Sequence, residues 1–492
     1  MRAQPGVACD VPIHAYGYSF ELNANWSTAF APGAEIHAYQ KRVAAKHGIY
    51  AHCQFNTEVR RLEYLAEEHV WAVTVLKKKE NRTETFFTKI IVDAKGIQHH
   101  AMWPKLPGVN DGTFKGTLEV HSVDWRPEHD DMVRGKNVVV IGSAASAIQI
   151  VPALADKVKT LTVLQRTPNW IVPKTAPYLP RQLDYGPWWK WVFANVPGAM
   201  RLHYYSIFYG LDAAYATSFL RPGSTAQSIG QQVMTASMTR RLRGRQDLVE
   251  KLVPKYEIGC KRPVLSDTFL QTFLKPNVKL LASALTRVEP DGVLCANGDK
   301  VVADVVIYCT GYRFADPGLH FEVVTPEFTY NDDVRKHAEE TYWTGAFIPG
   351  AIFDQIRTYK GVAHPKMPNY FTTFGTNCGV ANSALVTLEA NTAYIARVIK
   401  LMESKHVAEL RVKQELCDKF NAEVDKALEG TVFTSSKCTS YYKADGTGKV
   451  VIVSPFSASK FIASMAPPSN LDEYNVVMQA GSAAPLSMSA RL

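Results

Sequence analysis

The pattern of apolar and polar positions divides the chain before any single residue is considered. Over 69–77 (HVWAVTVLK) and 85–93 (TFFTKIIVD) apolar and polar side chains alternate, the period-two signature of half-buried strands. At 138–141 the pattern changes. Val138-Val139-Val140-Ile141 is apolar without interruption, as suits a strand buried on both faces of a parallel sheet. A turn of small residues follows, Gly142-Ser143-Ala144-Ala145-Ser146-Ala147. Then come apolar residues at helical spacing (Ile148, Val151, Leu154) and a second apolar strand, Leu161-Thr162-Val163-Leu164. Strand, small-residue turn, helix and strand within about 30 residues form a βαβ unit.

Further along, 175–250 reads as helical and aromatic, and 275–310 returns to strands in VKLLASALTRVE and VVADVVIYCTG. Leu385, Leu388, Thr392, Ile395, Ile399 and Met402 recur at helical spacing after the turn Gly375–Gly379. A second amphipathic helix is expected over 407–428. The proline- and glycine-rich stretch Trp103–Gly108 reads as a crossing between domains. The fold class is α/β.

Composition narrows the function. The chain has 492 residues, 46% of them hydrophobic and 21% charged, which excludes a disordered or fibrous chain. At about 100–200 residues per domain it holds two to four domains. With 55 basic against 46 acidic side chains the net charge is +9, a mild excess that suits small anionic ligands such as phosphates. No lysine/arginine block or aromatic-basic repeat points to nucleic acid. The eight cysteines form no C-x-x-C pair and no metal-ligand spacing, so they read as reduced intracellular thiols with no metal site. With no apolar leader run in the first twenty residues, a cytoplasmic location is expected.

The most lipophilic stretch, about 185–220, is interrupted by Pro187, Lys190, Pro197, Arg201 and Asp212. That leaves it short of the ~18 apolar residues of a spanning helix. It reads either as a buried helical subdomain or as a surface for peripheral contact with a membrane or an apolar partner.

The βαβ unit carries the first chemistry. Its turn, with Gly142, Ala144 and Ala147, offers helix N–H groups and little bulk to a dinucleotide pyrophosphate. At the end of the next strand, where NAD-binding folds place a carboxylate for the ribose 2′-hydroxyl, stand Gln165-Arg166-Thr167. A guanidinium there pairs with a 2′-phosphate, so NADPH is expected rather than NADH; a solvated surface arginine is the alternative.

Several residues together resemble a known family. Phe114, Gly116, His121 and Trp125 are similar to the fingerprint F-x-G-x-x-x-H-x-x-x-W of Baeyer–Villiger monooxygenases, with one extra residue before the histidine. Asp10 in CDVP, Val59 in FNTEV, QRTPNW, Lys261-Arg262 in GCKR, Thr310-Gly311 in CTGY and the segment FGTNCGVANSALVTLEANTAYI fall in that family's order. The sister class, the flavin-containing monooxygenases, usually has Tyr where Trp125 stands. Ala94-Lys95-Gly96 departs from the family's A-T-G by placing a long cation at a domain crossing.

The resemblance implies two Rossmann-like dinucleotide-binding domains with a helical, aromatic-rich insertion at about 175–250. Residues 1–115 would begin the FAD domain, 116–310 would form the NADP domain, and 311–492 would complete the FAD domain and add C-terminal helices. It implies FAD and NADPH as cofactors, with O₂ and a small hydrophobic substrate as partners. One oxygen atom would enter a ketone, or an amine or sulfide would be oxygenated, through a flavin peroxide.

Roles follow from the same resemblance. Arg262 would stabilise the developing anion and Asp10 would orient it. Lys261, Arg166 and Thr167 would hold the 2′-phosphate. Val59, Tyr16, Thr310 and Gly311 would contact cofactor, and His121 and Trp125 would couple domain movement to catalysis. Read from the residues alone, Asp10 could equally be a turn residue and Arg262 a surface charge. The glycine loop of the FAD domain is not seen, so the chain reads as an N-terminally truncated member with an incomplete FAD domain. The alternative function is a non-catalytic NADPH-binding remnant.

Overall fold

A computed structural model describes residues 4–96, 98, 101–174, 184–218, 221–312, 321–330, 357–380, 382–443, 448–466 and 468–479. The organising element is a five-stranded, all-parallel sheet. Its spatial order is Val278–Leu281, Thr160–Leu164, Asn137–Ile141, Val305–Tyr308, Leu118–His121. The apolar run 138–141 is its middle strand. Val138 and Val140 pack on one side with Ile148, Val151 and Leu154 of the helix Ala147–Leu154, while Val139 and Ile141 pack on the other with Val288 and Val293. Both faces are covered, so no polar alternation is possible there. The expected strand, turn, helix and strand are all found.

The strand order reverses between Asn137–Ile141 and Val305–Tyr308, so the Gly142 and Thr310-Gly311 turns leave the sheet side by side. In open α/β sheets that switch point is where ligands bind.

A second, mixed sheet runs Phe328–Tyr330, Glu322–Thr325, Thr57–Leu65, Val70–Lys77, Arg82–Thr88. The sequence pattern 85–93 breaks here. Arg82–Thr88 stays in this sheet, and Ile91–Asp93 leaves it to pair in parallel with Tyr370–Thr372. Among the described residues this parallel pair has no third strand, and Val92 is 44% exposed. Asp93 is buried, accepting from the Tyr370 hydroxyl at 2.7 Å and pairing with Lys95. The unusual cation of Ala94-Lys95-Gly96 therefore folds back onto its own strand.

The expected helix at 407–428 is corrected. Val407–Val412 is a strand paired antiparallel with Tyr474–Met478, and the helix occupies Gln414–Leu428. Val407 and Leu410 have helical spacing, but Val412 falls off that face, and a partner strand more than sixty positions away decides the outcome. The helix Ala384–Ser404 forms where its periodicity places it. Helices also occupy the insertion, at Pro187–Asn195, Ala199–Ser218, Thr225–Arg241 and Gln246–Leu252; the expected helical stretch at 175–183 lies outside the described residues. No helix among the described residues is long and apolar enough to cross a membrane.

Candidate functional site

The Gly142 turn is set by packing. Its φ is +109°, and a Cβ there would sit 2.5 Å from the Cys309 carbonyl oxygen, so only glycine lets the two central strands part this closely. Ser143 then turns inward. Its Oγ donates to the Thr167 carbonyl at 3.3 Å, and its own carbonyl accepts from Asn169 Nδ2 at 3.1 Å. Ala144 and Ala145 are exposed, and Ala147 is buried at the first helical position. The turn thus presents small residues outward at a helix N-terminus.

Residues 165–172 and 251–266 are zipped together. Gln165 Nε2 donates to the Lys251 carbonyl at 2.7 Å, Trp170 Nε1 to Tyr256 O at 3.0 Å, and the Tyr256 hydroxyl to Pro168 O at 2.7 Å. Ile171–Val172 pairs in parallel with Val264–Leu265. This zipper brings Lys261 within electrostatic reach of Arg166. Burial, and next the Arg166 charge, push the Lys261 ammonium down to about 8 from 10.5. Two cations held together, one of them largely desolvated, make a site complementary to a phosphate.

The next residue faces other partners. The Arg262 guanidinium meets Asp10 Oδ2 at 2.7 Å, with the two side chains 41% and 34% exposed. The Asp10 charge is the main influence raising the Arg262 pKa, and the Tyr441 side chain hydrogen-bonds to the same group. Tyr16 belongs to this cluster. Its hydroxyl is pushed up by burial first, then by Cys9 and Asp10. Asp10 is held in place because the segment around it lies against 29–33: Cys9 N–H donates to Ala31 O and Ile13 N–H to Ala29 O.

The structure revises the cysteine reading. Cys260 and Cys438 form a disulfide, with Cα atoms 6.2 Å apart, so at least this pair is not reduced thiols. The bond lies immediately before Lys261-Arg262 and fastens the segment 435–443 over them. Glu257 reinforces it, accepting from Lys437 Nζ at 2.6 Å and Ser435 Oγ at 3.0 Å. Tyr441 and this clasp were missed by sequence reasoning. The position of Cys260 directly before Lys261-Arg262 is the one local signal that could have drawn attention to it.

The fingerprint residues have structural jobs. Phe114 is buried, and its ring leaves no room for a Cβ at Gly116, which would approach it to 2.3 Å. Trp125 is buried and donates to Asp130 Oδ1 at 3.0 Å. The extra residue before His121 does not expel it. His121 ends a strand fully buried, accepts from Val123 N–H at 3.2 Å through Nδ1, and lies near the rings of Trp103 and Tyr312. Its Nε2 forms no hydrogen bond of normal geometry, and burial lowers its pKa to about 4.

The Thr310-Gly311 turn is tied to the segment around Met102. Thr310 Oγ1 donates to Met102 O at 2.6 Å, and Met102 N–H to Gly311 O at 3.0 Å. Val59 lies apart from these groups, in the mixed sheet opposite Val75.

Comparison with known proteins places this geometry. The profile of the L-lysine 6-monooxygenase/L-ornithine 5-monooxygenase family matches residues 18–197. A Baeyer–Villiger monooxygenase of Streptomyces coelicolor is 29% identical over 94% of this chain and 82% of its own. An FAD-binding monooxygenase of Aspergillus niger is 28% identical over 90% of this chain and 69% of its own. Among solved structures, closed cyclohexanone monooxygenase aligns with a TM-score of 0.79 at 20% identity, over 96% of this chain and 91% of its own. Oxidized steroid monooxygenase bound to NADP aligns at 0.77 and 20% identity, over 97% and 92%. These likenesses match the α/β fold with two dinucleotide-binding domains.

Proposed function

We propose that the chain, which is similar to Baeyer–Villiger and other FAD-binding monooxygenases, is a flavin-dependent monooxygenase that carries out an NADPH- and FAD-dependent oxygenation of a small hydrophobic ketone, amine or sulfide. The observation that carries this reading is the division of labour at 261–262. Lys261 turns to Arg166, and Arg262 turns to Asp10 and Tyr441.

NADPH fits the residues present. Arg166, Thr167 and Lys261 would hold the 2′-phosphate, and the Gly142–Ala147 turn would receive the pyrophosphate. FAD, when bound, would supply the redox chemistry with O₂. Arg262, fixed by Asp10, would place a permanent cation where negative charge develops. Tyr16, Val59, Thr310 and Gly311 would contact cofactor, and buried His121 and Trp125 would link the crossing at Gly311 to the parallel sheet. The domain division is 1–115 and 311–492 for FAD, and 116–310 for NADPH. The cofactor calls for a compartment that regenerates NADPH, the cytoplasm in the sequence reading, whereas the Cys260–Cys438 bond is one that reducing compartments disfavour.

The FAD site fits only in part. Among the described residues no second strand–glycine turn–helix unit stands ready for the FAD pyrophosphate, and Ile91–Asp93 keeps an open edge. That observation favours a second reading, a chain that binds NADPH without catalysis. Calorimetric titration with NADPH and then FAD, followed by oxygen uptake, tests both. The first reading expects a yellow protein that consumes NADPH in air and loses that activity in Arg262→Ala while still binding NADPH. NADPH binding without FAD uptake would overturn it in favour of the second.

A further inference from the structure

The insertion presents an apolar face that no described element covers. The helix Pro187–Asn195 buries Phe193 and part of Trp189 against the core around Ile13, Trp26 and Tyr39. Its Trp188 and Trp191, three positions apart and so on one face, point to solvent. The helix Ala199–Ser218 repeats the arrangement. Tyr204, Ile207 and Phe208 are buried, whereas Leu202, Tyr205 and Tyr209 form an outer stripe at i, i+3 and i+7, the two tyrosine rings stacked with centroids 6.2 Å apart. These five outer side chains are between 49% and 74% exposed. At the turn joining the helices, Phe20, Val196 and Arg201 line one shallow depression. A helix apolar on both faces needs a second apolar neighbour.

Charge identifies that neighbour. From Tyr185 to Leu211 the chain has no Asp or Glu, while Lys190 and Arg201 are both present. Of the two flanking acids, Asp184 is exposed just before the first of these helices, while Asp212 is turned inward and caps another helix through the Ala458 and Ser459 N–H groups. Tryptophan and tyrosine with scattered basic residues and no acids is the chemistry of the bilayer interface, where aromatic rings sit at headgroup level and cations meet anionic lipid.

We propose that the face formed by Trp188, Trp191, Leu202, Tyr205 and Tyr209 docks the protein peripherally on an anionic phospholipid surface. This deepens the functional reading, because apolar substrates concentrate in bilayers, but the docking does not require catalysis. The full chain is floated with phosphatidylcholine vesicles, with and without phosphatidylglycerol, at low and high salt. Binding to the anionic vesicles that weakens with salt is expected, and Trp188→Ser/Trp191→Ser should reduce it by about tenfold or more. The control Ile229→Ser/Val233→Ser, which changes exposed apolar residues on the helix Thr225–Arg241, should float like the wild type. NADPH titration of each preparation reports folding and cofactor binding independently, so loss of docking and failure of the enzymatic reading are told apart. Absence of flotation, undiminished flotation of the Trp variant, or a concentration-dependent dimer abolished by the same two substitutions would each overturn the proposal.

Discussion

NADPH binding should be coupled to proton uptake through Lys261. In the free protein this ammonium is depressed from 10.5 to about 8 by burial and by Arg166. At 1.36 kcal/mol per unit, the lowering amounts to about 3 kcal/mol against the charged form. A 2′-phosphate seated between the two cations removes that disadvantage and returns the pKa toward its ordinary value. The sign follows directly. Below pH 8 Lys261 is protonated with or without ligand, and affinity is full. Above pH 8 the free protein has lost the proton and must recover it on binding, so affinity falls as pH rises. The 2′-phosphate itself is already dianionic in this range, its second pKa being about 6. Between roughly pH 7 and 9 NADPH affinity should drop about tenfold, and near pH 9 each NADPH should take up about 0.9 proton. Calorimetry in two buffers of different protonation enthalpy measures the uptake. NADH and the Lys261→Met variant should show none, and Arg166→Ala should weaken NADPH about 10- to 100-fold with little effect on NADH. Equal uptake with NADH, or uptake that survives Lys261→Met, would refute the reasoning.

Three other outcomes are expected. Gly142→Ala forces a Cβ against the Cys309 carbonyl at positive φ, and should cost about 2 kcal/mol or more in denaturant unfolding. Cys438→Ser should lower stability by about 2–4 kcal/mol, and reductant should destabilise the wild type while leaving this variant unchanged. His14 is fully buried among Tyr185, Phe193 and His203, and burial first, then His203, lower its pKa to about 3 from 6.5. The unfolded chain therefore binds a proton the folded one refuses. His14 should contribute a decline of about 1.4 kcal/mol per unit between pH 6.5 and about 3, beside the smaller share of His121, and His14→Phe should remove that part of the slope in acid melts.

The sequence made legible what is local. The run 138–141 could be recognised as a doubly covered strand because four adjacent apolar side chains leave no solvent face, and Gly142 because a small-residue turn followed it. Pairings between distant segments were not legible from pattern. Val407–Val412 could not be told from a helix without its partner at 474–478. Cys260 and Cys438, 178 positions apart, carry no spacing signal. Asp10 and Arg262 entered as candidates through resemblance, and the ion pair gives them a physical reason to belong together. The cluster of His14, His203 and Tyr185 was invisible, since nothing in their neighbourhoods marks three residues from two segments as one aromatic knot.

The Cys260–Cys438 bond makes the intervening polypeptide a closed ring. A single proteolytic cut anywhere between these positions cannot release a fragment. The two pieces stay one molecule until the sulfurs are reduced, with Lys261-Arg262 still tethered to the segment that bears Tyr441. A nicked protein should therefore run as a full-length species without reductant and as two bands with it, and mass loss in the unreduced lane would report cuts outside the ring.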